Sequence, residues 1–136
     1  MSDASRMLFL RIALVVVGLT GIFGFYLIGL VWPSGWVWGQ GHPQQYLTMI
    51  MGIYATLGVF LLIAARNPEA HRSLIWFTVW SSVVHAGIMA VQSLSDPMER
   101  GHLIGDIPAL LLVAVVLGAL MPRAATAPRH APLKHG

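Results

Sequence analysis

Four uninterrupted apolar stretches, at about 12–32, 46–65, 73–95 and 101–121, take up most of this chain. Each comes close to the ~20 residues of helix that cross a hydrocarbon core about 30 Å thick. A backbone in lipid must satisfy its own hydrogen bonds, and a helix does so within one segment. The chain is therefore predicted to be all-α: a four-transmembrane-helix bundle over residues 1–122, with short connections. A disordered basic tail, rich in Ala, Pro, Arg and His, is expected over 123–136. Composition points the same way, because the 136 residues are 57% hydrophobic and 10% charged, whereas a soluble domain carries about 25% charged residues.

The basic residues set the orientation. Arg6 and Arg11 precede the first span, Arg66 and Arg72 flank the loop between the second and third, and Arg123, Arg129 and Lys134 follow the fourth; Arg100 falls on the opposite side. Basic residues in short loops mark the cytoplasmic face, so both termini are expected to be cytoplasmic, in a bacterial inner membrane. Trp32, Trp36, Trp38 and Tyr46 then suit an outer aromatic belt, with Trp76 near the inner face. The first apolar run is longer than the about 7–15 residues of a secretory signal core and no Ala-x-Ala site follows it, so it reads as a retained helix.

Local signals place the helix starts. Pro43, Pro68 and Pro97 stand at or just ahead of apolar runs, where a fixed φ and a missing N–H suit the first helical position. Asn67 with Glu69, and Asp96 with Glu99, read as caps with an acid in the first turn. Pro122 closes the fourth helix, and Pro108 is expected to bend it. Gly18, Gly21, Gly24 and Gly29 in the first span, and Gly52, Ala55 and Gly58 in the second, recur at spacings that let helix backbones approach closely.

The third span carries a polar stripe. Thr78, Ser81, Ser82, His85, Met89 and Gln92 recur at helical spacing and so share a face predicted to point into the bundle. An ionisable group in mid-membrane such as His85 is costly and usually functional; the alternative is a neutral imidazole that joins helices by a hydrogen bond. At the outer end of the fourth span, His102 and Asp106 are four residues apart and stack on one helical face. Folding spans three and four as a hairpin puts His85 about 8 Å from Asp106 along the axis and ~14 Å from His102. That separation disfavours a haem held by both histidines, while a single-histidine haem stays open. Tyr26 and Tyr54 fall at comparable outer-half depths. With Gln92, His85, His102 and Asp106 they could line a small polar pocket opening outward.

Several functions are excluded or weakened. There is no cysteine, so thiolate metal sites, C-x-x-C-H haem attachment and cysteine nucleophiles are absent. A net charge of +3 is too small and dispersed for a nucleic-acid surface. No serine-hydrolase elbow, Walker loop or H-E-x-x-H motif occurs. Met49, Met51 and Met89 with His85 form a set that suits Cu(I), although methionine in an apolar helix is more often packing filler.

In size, four-span layout and the segments 76–85 and 101–106, which carry Trp76, Trp80, Ser81, Ser82, His85, Gly101, His102, Gly105 and Asp106, the chain resembles small uncharacterised bacterial four-helix membrane proteins. More loosely, it resembles the DoxX-like group. The resemblance spans residues 8–122 and implies no established activity. The residues themselves favour a non-catalytic bundle set in membrane lipid. Such a bundle would bind a small apolar or amphipathic ligand, or another membrane subunit, through the outward pocket. Two alternatives stay open: a redox or metal-associated accessory protein with His85 or His102 as ligand, and an oligomeric proton-coupled carrier using His85 and Asp106. No particular cofactor is indicated.

Overall fold

The structure, a computed structural model, describes residues 2–31 and 43–122. Trp32, Trp36 and Trp38 of the expected aromatic belt and the 123–136 tail lie outside the described residues, as do the side chains of Gly29, Tyr46 and Glu99. The described elements are helical throughout. They are α1 (Asp3–Leu19), a π-helical turn (Thr20–Gly24), α2 (Phe25–Val31), α3 (Pro43–Arg66), a 3-10 turn (Pro68–His71), α4 (Arg72–Ser95), a 3-10 segment (Pro97–Leu103) and α5 (Asp106–Leu120). Four stretches within them are long and apolar enough to cross a membrane: Asp3–Gly24, Leu47–Arg66, Pro68–Ser95 and Arg100–Leu120.

Helix ends follow local chemistry, with two departures from the sequence pattern. The Ser2 side chain accepts from the Ser5 N–H at 3.2 Å and Asp3 lies in the first turn, so α1 is capped and its dipole met by an acid. The Asn67 side chain, expected to cap, makes no such bond. Asp96 instead ends α4, its N–H donating to the Gln92 carbonyl at 2.8 Å. Pro97 therefore opens a 3-10 segment packed on α4, and the last α-helix starts only at Asp106. Pro108 then lies in the first turn of α5, where N–H groups have no partner within the helix to lose.

α1 packs against α3 and α4 against α5; α1 also meets α5, while α3 and α4 touch lightly. The glycine pattern explains the first pairing. A Cβ at Gly58 would lie 2.5 Å from the Gly18 carbonyl oxygen, and one at Gly21 would lie 2.8 Å from the Tyr54 carbonyl oxygen. These backbones approach as closely as only a missing side chain allows. Gly52 faces open space and Gly24 meets only Thr20 of its own helix, so neither takes part in the expected packing.

The core lies at the end that carries Arg6, Arg66 and Arg72. Leu10, Leu14, Leu61, Ile75 and Leu117 are fully buried there, with Ala64, Ala114 and Met121 around them. The Arg6 guanidinium donates to the carbonyls of Leu120, Ala119 and Met121 at 3.1, 2.8 and 2.8 Å, and Arg72 donates to the Pro122 carbonyl at 2.8 Å. Cationic donors on the free carbonyls of a helix C-terminus satisfy both hydrogen bonds and dipole. They hold the start of α1 against the end of α5, so the two ends of the bundle domain lie on one side. The same arginines that suggested an orientation thus close one end of the bundle.

Candidate functional site

The buried face of α4 centres on Ile75, Thr78, Val79, Ser82, Ala86, Met89 and Ser93. The polar stripe read from the sequence therefore points inward, but its axis is rotated. Ser81 and His85 are half-buried on the flank of that face, and Gln92 is exposed. Ser93, four residues after Met89, is 1% exposed and holds the place expected of Gln92. Following the i+4 step from Met89 instead of i+3 would have found it. Part of the stripe is also committed elsewhere: Thr78 donates to Leu74 O at 2.9 Å and Ser81 to Thr78 O at 3.2 Å, each serving its own helix.

His85 reaches across to α3. Its Nδ1 lies 2.6 Å from the Tyr54 hydroxyl, with the rings tilted and their centres 5.9 Å apart. Tyr54 is set by the glycine contact just described, since its carbonyl lies against Gly21 in the π turn. A phenol is the better donor of the two, so it donates to Nδ1 and the ring proton is assigned to Nε2. α3 and α4 otherwise touch lightly, and this bond is a polar tie between them.

Asp106, the first residue of α5, pairs with His102, Oδ2 to Nδ1 at 2.6 Å. The i, i+4 stacking is as the sequence predicted, although His102 stands in the 3-10 segment. The carboxylate also meets the positive end of the α5 dipole. α5 is only 15 residues long, or ~22 Å by helical rise, with Asp106 at its start. Asp106 is near enough for its charge to act on both Tyr54 and His85.

Tyr54, His85 and Asp106 line one cavity of about 840 Å³. His102, Gln92 and Tyr26 do not contribute to its wall. Tyr26 is 62% exposed on α2, beyond the π turn, where the 3.6-residue register that placed it no longer holds. Apart from these three side chains and the hydroxyls of Thr20, Thr78, Ser81 and Ser82, the wall is apolar. The cavity is therefore less polar than expected and much longer, running along α5 from Asp106 to Leu120, about 21 Å of rise. Part of its wall is exposed sideways. The lining residues of α3 and α4 are all buried or half-buried, whereas Ile12 and Val16 of α1, Ile28 of α2 and Leu112 and Val115 of α5 line it and are also exposed. This apolar margin lies chiefly between the first and fourth spans.

Among the described residues no group of three or more His, Asp or Glu converges in a way that could hold a metal ion. With the described spans all apolar helices, the fold and cavity define a multi-pass helical membrane protein with a polar group inside its bundle. The chain belongs to a family of unknown function (DUF6632), whose model matches residues 4–134. No curated protein and no solved structure matches it.

Proposed function

We propose that the protein binds a small amphipathic molecule that enters sideways from the bilayer, and that it does so without catalysing a reaction. One observation carries this reading: the cavity whose margin faces lipid between α1 and α5 also contains the Tyr54, His85 and Asp106 side chains. An apolar channel would take a tail, and the three polar groups would fix a head, the division of labour found in ligand pockets generally. A volume of about 840 Å³ falls within the roughly 300–1,000 Å³ of such pockets. The bacterial inner membrane, the cytoplasmic termini, the looser likeness to DoxX-like proteins and a partner subunit belong to the same proposal.

Native mass spectrometry of the detergent-purified chain after exposure to a total lipid extract tests it. We expect one amphiphile per chain on the wild type and none on Ala109→Trp, whose indole fills the channel at its wall. A wild type that carries nothing, or an Ala109→Trp variant loaded to the same extent, would overturn it. The proton-carrier alternative is supported by the row of titratable groups His102, Asp106, His85 and Tyr54; it predicts proton flux in liposomes that Asp106→Asn abolishes.

A further inference from the structure

The head of the bound molecule can be specified from two atoms, given the ligand reading above. His85 uses Nδ1 on Tyr54, and Asp106 uses Oδ2 on His102. Among the described residues, Nε2 of His85 and Oδ1 of Asp106 make no hydrogen bond. Both side chains line the cavity. One is a donor, since the phenol fixes the ring proton on Nε2, and the other is an acceptor, since an ionised carboxylate can only accept. A polar atom left unmatched in an apolar site costs the full desolvation of that group, so the fitting head satisfies both together.

Few heads do so. An ether or ketone accepts from the imidazole and leaves the carboxylate unmatched. A carboxylate or phosphate head meets the charge of Asp106 at close quarters. An ammonium satisfies Asp106 but brings N–H groups against the imidazole N–H. A hydroxyl accepts with its oxygen and donates with its hydrogen, one bond to each partner. The tail is limited as well: the channel is about 21 Å long from Asp106 to Leu120, so an extended chain lies parallel to α5.

We infer that the site binds a neutral single-chain lipid with a hydroxyl head, its oxygen held between His85 Nε2–H and Asp106 Oδ1 and its chain laid along the groove between α1 and α5.

Hexadecanol, hexadecyl methyl ether, palmitate and hexadecylamine, each titrated onto the wild-type full chain in the same detergent and followed by native mass spectrometry, separate the possibilities. The alcohol is expected to bind at least about ten-fold tighter than the ether, the worth of one hydrogen bond to a charged group, and tighter than either ion. Asp106→Leu, which removes the acceptor that only the alcohol can use, should bring alcohol and ether within about two-fold of each other, whereas His85→Phe, which removes the donor that both oxygens use, should weaken the two alike. Equal binding of all four, or preference for an ion or the ether, overturns the hydroxyl assignment and leaves the sideways amphiphile site standing. If none of the four binds, and lipid-extract loading also fails, both readings fall. The comparison on the wild type needs no variant to fold.

Discussion

The two ends of this bundle are held by different means. At the end bearing Arg6 and Arg72, large aliphatic side chains interlock around Leu14, Leu61 and Leu117, Gly18 and Gly58 bring backbones together, and guanidinium groups clasp the last carbonyls of α5. At the other end the buried cluster shrinks to Ala86, Met89 and Ile107, and polar contacts stand out, Tyr54 to His85 between α3 and α4 and Asp106 to His102 within the fourth span. Lipid is as apolar as leucine, so helices in a membrane gain from close packing and from hydrogen bonds rather than from escaping water. One end uses the first and the other depends on the second. The cavity runs past both, its wall taking in Leu61 and Leu120 at the first end as well as Tyr54, His85 and Asp106 at the second.

That contrast can be broken by mutation. Leu117→Ala, in the tight end, should cost about 2–5 kcal/mol, the range for a large-to-small change at a fully buried site. Ile107→Ala in the smaller cluster should cost clearly less, because its neighbours can collapse into the gap. Equal losses, measured by denaturant titration in mild detergent, would mean the two ends are packed alike. Gly58→Ala comes next, at about 1–3 kcal/mol, since its Cβ would meet the Gly18 carbonyl at 2.5 Å and backbone cannot step aside as a side chain can. Gly52→Ala, facing open space, serves as its control and should be neutral or slightly stabilising.

Arg6→Ala should cost about 1–2 kcal/mol through the loss of charged bonds to the α5 carbonyls, with Arg6→Lys recovering only part because an ammonium lacks the guanidinium fork. Disulfide or spin-label distances between the start of α1 and the end of α5 would widen in parallel. Smallest is Tyr54→Phe. Hydrogen bonds between membrane helices are worth about 0.6 kcal/mol on average, so stability should barely move while amphiphile retention falls. Tyr26→Phe and Gln92→Ala, both outside the cavity wall, should change neither measurably. A stability loss from Tyr54→Phe as large as that from Leu117→Ala would show that the end bearing Tyr54 and His85 is not the weakly packed one.

Much of the architecture could be read before any coordinates. Span number and helicity follow from apolar run length, and the i, i+4 relation of His102 and Asp106 from helical rise. The inward turn of the Thr78, Ser82 and Met89 face follows from periodicity. The site was legible only in part. His85 and Asp106 were recognised as facing a shared space, but Tyr54 entered on depth alone, and nothing in the spacing indicated that it would be the partner of His85. Gln92 and Tyr26 were assigned by residue type and depth, which cannot tell the centre of a helical face from its flank or anticipate a π turn. Ser93 was overlooked beside the more polar Gln92. The clasp by Arg6 was hidden because its 113 to 115 residues of separation from its acceptors leave no local pattern.

The sequence by itself determined that this chain forms four helices long and apolar enough to cross a membrane, with Arg6, Arg66 and Arg72 toward one end. Those properties depend on quantities that add along the chain, hydrophobicity, charge and the periodicity of one helix at a time. Only the tertiary structure decided that the arginines close one end, that the cavity has an exposed margin between the first and fourth spans, and that Tyr54 takes one nitrogen of His85. Each of these is fixed by how two helices are rotated against each other, and a rotation of one helix position, about 100°, exchanges what faces the cavity for what faces the bilayer.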